Sequence, residues 1–279
     1  MILSGNAKLA GVVGWPVSHS KSPRLHGFWL EQYKIDGTYV PLAIKPEDFE
    51  SAIRGLQKSG FKGVNVTVPH KESALKIADK VSARAEKIGA ANTLVFQEDG
   101  LIFADNTDGF GFFENLKQGA VDWQADAGPA VVLGAGGAAR AVIVALAEAG
   151  VPEIRLTNRT RARAENLAAE LDAPITVVDW EDRNAALEDC NLLTNTTTLG
   201  MHGQGLLEID LFDLPKTALV NDIVYVPLMT NLLEKAHAHG CPIVDGIGML
   251  LHQARPGFEA WFGTDPQVTD ELRQFVLAD

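Results

Sequence analysis

Apolar and polar residues follow one another along the N-terminal part of the chain in a pattern that predicts strands and helices in turn. Short apolar or period-two segments are typical of strands, and the longer segments between them have helical spacing. The predicted strands are Leu9–Gly14, Tyr39–Ile44, Gly63–Val68 and Asn92–Phe96, and the predicted helices are Pro23–Tyr33, Pro46–Gln57, His70–Lys80 and Ser82–Lys87. Strands that alternate with helices predict a largely parallel sheet with right-handed crossovers.

The second half of the chain resumes this alternation after a weakly apolar segment. Gln118–Pro129 contains glycines and few apolar residues, so we interpret it as a linker. Strand–helix units follow as far as Val244, and the helices Met249–Phe262 and Pro266–Leu277 come last. The pattern therefore predicts an α/β fold on both sides of the linker.

A glycine-rich turn after an apolar segment predicts a phosphate-binding loop. Val131–Leu133 reads as a strand, and an alanine-rich helical pattern follows the turn, which consists of Gly134, Ala135, Gly136, Gly137 and Ala138. Gly134 permits the turn, Gly136 lets backbone N–H groups approach a pyrophosphate, and the helix start favours anions. Such loops also occur without a ligand, so the interpretation depends on context.

The end of the next predicted strand indicates which dinucleotide this loop would bind. A carboxylate there would accept hydrogen bonds from a ribose 2′-hydroxyl and favour NAD. The sequence instead has Asn158, Arg159 and Thr160, with Arg161 and Arg163 just beyond. Guanidinium and hydroxyl groups suit a 2′-phosphate, so we predict NADP as the cofactor. The alternative is that the arginines are ordinary solvated charges at the start of the predicted helix Thr160–Leu171.

Two serines before the first predicted helix are candidates for binding a carboxylate. If the segment is extended, Ser18 and Ser20 point to the same side and can grip one carboxylate. Helix capping is an equal alternative for both. For Ser22, which directly precedes Pro23, we accept the capping interpretation.

A lysine and an aspartate are candidates for proton transfer. Lys71 falls in the first turn of a predicted helix, where the dipole disfavours its ammonium unless a carboxylate compensates. Such lysines can serve as acid–base groups, although an exposed lysine without a role fits equally well. Asp108 precedes another helix and, taken alone, is best explained as an N-cap. If the fold brings Asp108 beside Lys71, the two form a proton-handling pair.

The composition narrows the classes of function. The 279 residues, of which 46% are hydrophobic, suffice for two domains with substantial cores. The net charge of −12 argues against a nucleic-acid partner and requires a site for anionic substrates to provide its own cations. Cys190 and Cys241 are too few for a disulfide framework and are interpreted as core residues. His237 and His239 do not share a helix face, and no metal site is predicted.

We expect a cytoplasmic protein. The N-terminus lacks the long apolar stretch of a secretory signal. No segment approaches the roughly 20 apolar residues that span a bilayer, so no membrane partner is predicted.

Seven ordered motifs covering nearly the whole chain together resemble the shikimate dehydrogenase family. Each is weak alone, and their order makes the set specific. They are Ser18-x-Ser20-x-Ser22-Pro23-x-x-His26, Asn65-Val66-Thr67-Val68-Pro69-x-Lys71, Gly89-Ala90-Ala91-Asn92-Thr93, Asn106-Thr107-Asp108-Gly109, Gly134-Ala135-Gly136-Gly137-Ala138-Ala139-Arg140, Asn158-Arg159-Thr160 and Asp245-Gly246-x-Gly248-Met249-Leu250.

The resemblance implies a two-domain α/β architecture with a cleft between the domains. Residues 1–110 and 247–279 would form the substrate-binding domain, and residues 111–246 a Rossmann-like NADP-binding domain. The implied activity is the reversible NADPH-dependent reduction of 3-dehydroshikimate to shikimate, a step in aromatic amino acid biosynthesis, by a monomer or homodimer.

The resemblance also implies the roles of individual residues. Lys71 and Asp108 would be catalytic and handle the proton at the reacting oxygen. The implied substrate-binding residues are Ser18, Ser20, Thr67, Lys71, Asn92, Asp108, Tyr225 and Gln253. The implied cofactor-binding residues are Gly134, Ala135, Gly136, Gly137, Ala138, Asn158, Arg159, Thr160, Arg163, Ile223, Gly246 and Met249.

Two residues and one loop depart from the family's pattern. His70 stands where an apolar residue is common, so we expect it either to tune Lys71 or to be solvated. Gly27 replaces a frequent polar amide and is expected to weaken the first helix. The loop Asn195–Met201 differs from the serine-rich version, which leaves open a quinate/shikimate dehydrogenase with relaxed substrate and NAD(P) use. A non-catalytic relative is a third possibility, against which the retention of Lys71 and Asp108 argues.

Overall fold

The computed structural model describes residues 2–278, which form two compact units. The first unit contains the chain up to Thr107 and again from Gln253, and the second contains Asp108–His252. Each unit has its own six-stranded sheet. The expected domain boundaries, 110/111 and 246/247, differ from these divisions by a few residues.

The sheet of the first unit is largely parallel, as predicted, with one antiparallel strand. Its order is β2-β1-β3-β5-β6-β4, with β5 antiparallel to both of its neighbours. The reason is the short turn through Gly100 (φ +81°), because a hairpin joins only antiparallel strands. The strands are β1 (Lys8–Gly14), β2 (Gly37–Ala43), β3 (Phe61–Val66), β4 (Lys80–Val81), β5 (Thr93–Phe96) and β6 (Ile102–Asp105).

The helices of the first unit depart from the predicted bounds at two informative places. They are α1 (Ser22–Gln32), α2 (Phe49–Lys58), α3 (Lys71–Ile77), α4 (Ala83–Ile88) and α10 (Asp270–Leu277). Helix α3 ends before the predicted Lys80, because Lys80 and Val81 pair with β6 as a strand. Ser22 is not the N-cap of α1. Lys21 occupies that position, and the Ser22 side chain is buried and hydrogen-bonded to Tyr39.

The sheet of the second unit is entirely parallel, with the order β12-β11-β10-β7-β8-β9. This is the doubly wound order of dinucleotide-binding folds, in which the strand order reverses between β7 and β10. Its strands are β7 (Ala130–Leu133), β8 (Ile154–Thr157), β9 (Ile175–Val178), β10 (Leu192–Asn195), β11 (Leu219–Asp222) and β12 (Ile243–Val244). Its helices are α5 (Asp108–Gly119), α6 (Gly137–Glu148), α7 (Arg161–Glu170) and α8 (Asn231–His239), and α9 (Ile247–Phe262) contributes residues to both units.

The second unit is built on nearly continuous apolar strands. Val131, Leu193 and Val220 are fully buried in one core cluster, as expected for a sheet covered on both faces. Cys190 and Cys241 belong to the same cluster, which confirms that they are core residues. The predicted linker Gln118–Pro129 lies inside this unit, where it contains the end of α5 and the connection from α5 to β7.

Candidate active site

The glycine-rich turn between β7 and α6 has the backbone that the sequence predicted. Gly134 has φ +105°, a left-handed conformation that side chains rarely adopt. A Cβ there would lie 2.8 Å from Thr197 Cγ2 and 2.9 Å from Thr196 Oγ1. The Thr196 hydroxyl donates to the Leu133 carbonyl at 2.7 Å. The turn is therefore closed by the loop that follows β10, at the point where the strand order reverses.

The start of α6 offers backbone donors on an open surface. Gly136 is the N-cap of α6 and, as a glycine, has no side chain to bond to the first N–H groups of the helix. A Cβ at Gly136 or Gly137 would meet nothing within 4 Å, so these glycines leave space beside the helix start. The first N–H groups of a helix and its dipole favour an anion at this position.

The segment after β8 places an amide and cations beside this turn. Asn158 Oδ1 accepts from the Ala135 N–H at 3.2 Å, and its Nδ2 donates to the Thr160 carbonyl at 2.9 Å. Arg159 and Arg163 are exposed. Arg161 is occupied by ion pairs with Glu165 and Asp179, so the interpretation as an ordinary surface charge holds for Arg161.

The ends of β10 and β11 are joined by a buried carboxyl group that the sequence analysis did not single out. Asp222 is fully buried and accepts hydrogen bonds from Asn195 Nδ2 (3.0 Å), Thr230 Oγ1 (2.7 Å) and the Val224 N–H (3.0 Å). Burial raises the pKa of Asp222 to about 6, although these donors oppose the shift. Apart from its place at the end of a strand, the sequence gives no signal of this network.

The residues after β11 include two expected ligand-binding positions. Ile223 and Tyr225 lie one and three residues after Asp222 and are half-buried, and burial raises the pKa of Tyr225. Gly246 packs against this segment so closely that a Cβ would lie 2.4 Å from the Ile223 carbonyl oxygen. Met249 lies in the first turn of α9 and is half-buried. The structure therefore brings Ile223 and Gly246 together.

The serine segment before α1 is a turn, so the extended conformation on which the carboxylate interpretation depended does not occur. The Ser20 N–H donates to the Val17 carbonyl at 3.1 Å, which closes the turn. Ser18 is exposed and Ser20 half-buried. The Ser22 N–H donates to Ser20 Oγ at 3.3 Å. The turn, rather than strand alternation, sets the directions of both hydroxyls.

Lys71 is the first residue of α3 and therefore lies in the first turn, as predicted. It is half-buried, and its carbonyl accepts from the Ala91 N–H at 2.9 Å. Thr67, also half-buried, follows β3, and its N–H donates to the Val13 carbonyl at 2.9 Å. Both residues thus stand at the carboxyl end of β3.

His70 is neither solvated nor aimed at solvent. It is 1% exposed, its ring stacks on Phe49 with centroids 4.6 Å apart, and Nε2 lies 2.8 Å from the Ile44 carbonyl. The expectation of a solvated His70 was wrong, because the ring fills the core beneath α3. Gly27 did not prevent α1, which spans eleven residues.

Asn92 and Gln253, which lie far apart in the sequence, meet in the first unit. Asn92 Nδ2 donates to Gln253 Oε1 at 3.2 Å. The Thr107 hydroxyl donates to the Gln253 carbonyl at 2.8 Å, which ties the chain before α5 to α9. Two substrate-binding residues expected from the resemblance are therefore neighbours.

Asp108 is the first residue of α5 and half-buried. The next residue, Gly109, lets α5 approach α6, since a Cβ would lie 2.8 Å from the Ala141 carbonyl oxygen. Asp108 belongs to the second unit and Lys71 to the first. Their pairing stays a prediction.

Residues 2–278 hold no group of three or more His, Cys, Asp or Glu side chains arranged to bind a metal ion. Within the same range, every helix is too short or too polar to cross a bilayer.

Comparison with known families identifies both units. Residues 12–94 match the family described as shikimate dehydrogenase substrate binding domain, and residues 116–200 match shikimate / quinate 5-dehydrogenase. The shikimate dehydrogenase (NADP(+)) of Paramagnetospirillum magneticum is 64% identical over 276 residues, which cover 99% of this chain and all of the relative.

Solved structures resemble the chain over nearly its full length. Shikimate 5-dehydrogenase from Thermus thermophilus, in complex with NADP(H) and shikimate, is 37% identical with a TM-score of 0.85 and covers 97% of this chain and 98% of its own. Quinate dehydrogenase from Corynebacterium glutamicum, in complex with NAD, is 28% identical with a TM-score of 0.91 and covers 98% and 99%. The chain therefore belongs to the shikimate dehydrogenase family.

Proposed function

We propose that this chain catalyses the reversible NADPH-dependent reduction of 3-dehydroshikimate to shikimate. The observation that carries the proposal is the 64% identity, over the whole chain, to an NADP-dependent shikimate dehydrogenase. The protein is an oxidoreductase that acts on a small molecule. We further propose that it works in the cytoplasm, as a monomer or homodimer.

The glycine-rich turn fits a dinucleotide. Gly134, Ala135, Gly136, Gly137 and Ala138 would hold the pyrophosphate through backbone N–H groups at the start of α6. The open space beside Gly136 and Gly137 supports this assignment, because bulky side chains there would exclude the phosphates. Ile223, Gly246 and Met249, near the end of β11 and the start of α9, would lie by the nicotinamide.

The segment after β8 favours NADP over NAD. It holds no carboxylate to bind a ribose 2′-hydroxyl, and it presents Asn158, Arg159, Thr160 and Arg163 instead. The exposed guanidinium groups of Arg159 and Arg163 would pair with the 2′-phosphate. They also supply local positive charge in a chain whose net charge is −12.

The first unit carries most of the proposed substrate site. The hydroxyls of Ser18 and Ser20 would bind the carboxylate of shikimate. The side chains of Thr67, Asn92 and Gln253 would bind ring hydroxyls, together with Asp108 and Tyr225.

Proton transfer at the reacting oxygen is assigned to Lys71 with Asp108. NADPH, when bound, supplies the hydride that reduces the carbonyl carbon. The carbonyl oxygen then gains negative charge, which the Lys71 ammonium stabilises while donating a proton. The Asp108 carboxylate would favour the charged form of Lys71. In the reverse direction, the same pair accepts the proton from the hydroxyl of shikimate.

A second candidate is a dehydrogenase that uses quinate as well as shikimate. The structural similarity to a quinate dehydrogenase with NAD favours it, as does the Asn195–Met201 loop. The absence of a carboxylate after β8 argues against NAD as the preferred cofactor.

One set of rate measurements tests this proposal. Oxidation of shikimate and of quinate is measured with NADP and with NAD, for the wild type and Lys71→Ala. We expect shikimate with NADP to give the highest kcat/KM, and Lys71→Ala to lower kcat about 100-fold or more with a smaller change in KM.

A matched control is Lys76→Ala, which removes an exposed lysine from the same helix and should leave the rates unchanged. A preference for quinate with NAD would overturn the proposed substrate and cofactor. A loss confined to KM in Lys71→Ala would remove Lys71 from proton transfer.

A further inference from the structure

A series of hydrogen bonds crosses the interior of the first unit and ends on Asn92. Tyr39 OH donates to Asn65 Oδ1 at 2.7 Å, Asn65 Nδ2 to Thr93 Oγ1 at 3.1 Å, and Thr93 Oγ1 to Asn92 Oδ1 at 2.9 Å. Ser22 bonds to Tyr39 at the other end. We call these five residues the buried polar chain. None of them is more than 6% exposed.

The backbone of Thr107 determines the direction of every bond in the buried polar chain. Its N–H, which can only donate, lies 2.9 Å from one branch of the Asn92 amide, so that branch must be the oxygen. The Thr93 hydroxyl must therefore donate to this oxygen and accept from Asn65 Nδ2. Asn65 Oδ1 must then accept from Tyr39, whose phenol stays protonated because burial raises its pKa.

The Asn92 side-chain amide is therefore held in one of its two possible orientations. With Oδ1 accepting from Thr107 and Thr93, the NH2 branch lies on the opposite side, where it donates to Gln253 Oε1. Reversing the amide would place its NH2 against the Thr107 N–H and the Thr93 hydroxyl, and would break the bond to Gln253. Buried polar groups left unpaired in this way cost about 1–3 kcal/mol each.

We propose that Thr93 is a positioning residue, which never touches the substrate but holds the Asn92 amide with its NH2 branch towards a ring hydroxyl of shikimate. This inference rests on the proposed function, in which Asn92 and Gln253 bind ring hydroxyls. The Thr93 hydroxyl donates its single proton to Asn92 Oδ1 at 2.9 Å, whereas the Thr107 hydroxyl lies closer to the Gln253 carbonyl (2.8 Å) than to Asn92 Oδ1 (3.1 Å).

The test replaces the hydroxyl while keeping the volume. In Thr93→Val, the bond to Asn92 is lost, and we expect the KM for shikimate to rise about 5- to 10-fold, the range expected for one hydrogen bond. The KM for NADP should stay within about 2-fold of wild type. Thr93→Ser, which restores the hydroxyl, should return the KM for shikimate to within about 2-fold of wild type.

A second substrate series separates positioning from a general loss of structure. With deoxy analogues that each lack one ring hydroxyl, the penalty of Thr93→Val should disappear for the analogue that lacks the hydroxyl bound by Asn92. Thr157→Val is the matched control, since Thr157 is fully buried on β8 and its hydroxyl has no hydrogen-bond partner. It should leave the KM for shikimate unchanged.

These measurements distinguish failure of the inference about Thr93 from failure of the proposed function. If the wild type does not oxidise shikimate with NADP, the proposed function itself is wrong. If the wild type does, but Thr93→Val keeps its KM for shikimate, raises both KM values alike, or loses the same factor with every analogue, Thr93 is only a structural residue. If Thr93→Val does not fold, failure of Thr93→Ser to behave as wild type would equally overturn the inference.

Discussion

At the scale of single residues, His26 shows how burial changes the chemistry of a side chain. Its ring is fully buried and stacks on Tyr39 with centroids 3.9 Å apart and planes 6° from parallel. Burial lowers the pKa of His26 to about 3, although a hydrogen bond with the Asn65 side chain opposes the shift. His26 therefore acts as an aromatic core residue and stays neutral.

This lowered pKa predicts sensitivity to acid. Below about pH 6.5 the unfolded chain binds a proton at His26, whereas the folded chain does so only below about pH 3. Stability is therefore fully present above pH 6.5 and falls as the pH decreases, by about 2 kcal/mol at pH 5. In His26→Phe, urea denaturation should show the free energy of unfolding shifting by about this amount in favour of the variant between pH 7.5 and pH 5.

His237→Phe, at an exposed position on α8, is the control and should follow the wild type at both pH values. Since overpacking by the larger ring would lower stability equally at every pH, only the difference between the two pH values is decisive. Parallel curves for His26→Phe and wild type would show that His26 does not cause acid sensitivity.

The sequence predicted the roles of side chains whose behaviour depends on their immediate neighbours along the chain. The glycines of the turn and the placement of Lys71 at the start of α3 could be predicted, because each depends on a few neighbours in sequence. Thr93 and Asp222 could not, because their partners lie in other strands and loops. His70 was misjudged for the same reason, since the sequence does not reveal that Phe49 and the Ile44 carbonyl enclose its ring.

At the scale of elements, the turn between β7 and α6 separates two roles of glycine. Gly134 needs its left-handed backbone and lacks space for a Cβ, whereas Gly136 has an extended backbone (φ −100°, ψ −172°) and open space. The first glycine is required by the fold. The second is required only if a ligand approaches.

Alanine substitutions at these two glycines should therefore affect different properties, namely stability at Gly134 and NADP binding at Gly136. Gly134→Ala should destabilise the protein by about 2 kcal/mol or more, through backbone strain and the contact with Thr196 and Thr197. Gly136→Ala should unfold within about 0.5 kcal/mol of wild type, but its Cβ would occupy the space proposed for the pyrophosphate. We expect its KM for NADP to rise about 10-fold or more, measured alongside thermal unfolding.

Gly27→Ala on α1 is the control, because its Cβ would also meet nothing within 4 Å and it lies in the first unit. Gly27→Ala should neither lower the free energy of unfolding nor raise the KM for NADP. A Gly136→Ala protein with the wild-type KM for NADP would contradict the assignment of the turn to the pyrophosphate.

The bounds of helices and strands were predicted where they depend on nearby residues and missed where they depend on pairing with distant strands. Helix α7 begins and ends within one residue of the predicted range Thr160–Leu171. The end of α3 and the strand β6 were missed, because both depend on pairing between β4 and β6. The mixed order of the first sheet also arises from pairing, which alternation along the chain does not specify.

At the scale of the whole molecule, the two ligands are assigned to separate sheets. NADP is assigned to loops at the carboxyl ends of β7, β8, β10 and β11, all in the second unit. The carboxylate and most ring hydroxyls of shikimate are assigned to loops of the first unit. Each unit has its own core, so binding should stabilise the loops of each unit separately.

Hydrogen exchange measured with each ligand alone would test this division. At a ligand concentration 100 times Kd, binding stabilises the bound form by about 2.7 kcal/mol, enough to slow exchange about 100-fold where opening requires ligand release. NADP should protect the amides of residues 134–138 and 158–160, and shikimate those of residues 18–20 and 65–71. In Gly136→Ala, the NADP-dependent protection should weaken while the shikimate-dependent protection stays, since that change lies in the second unit. Protection of residues 134–138 by shikimate alone, at the level expected for NADP, would show that the glycine turn binds the substrate and not the cofactor.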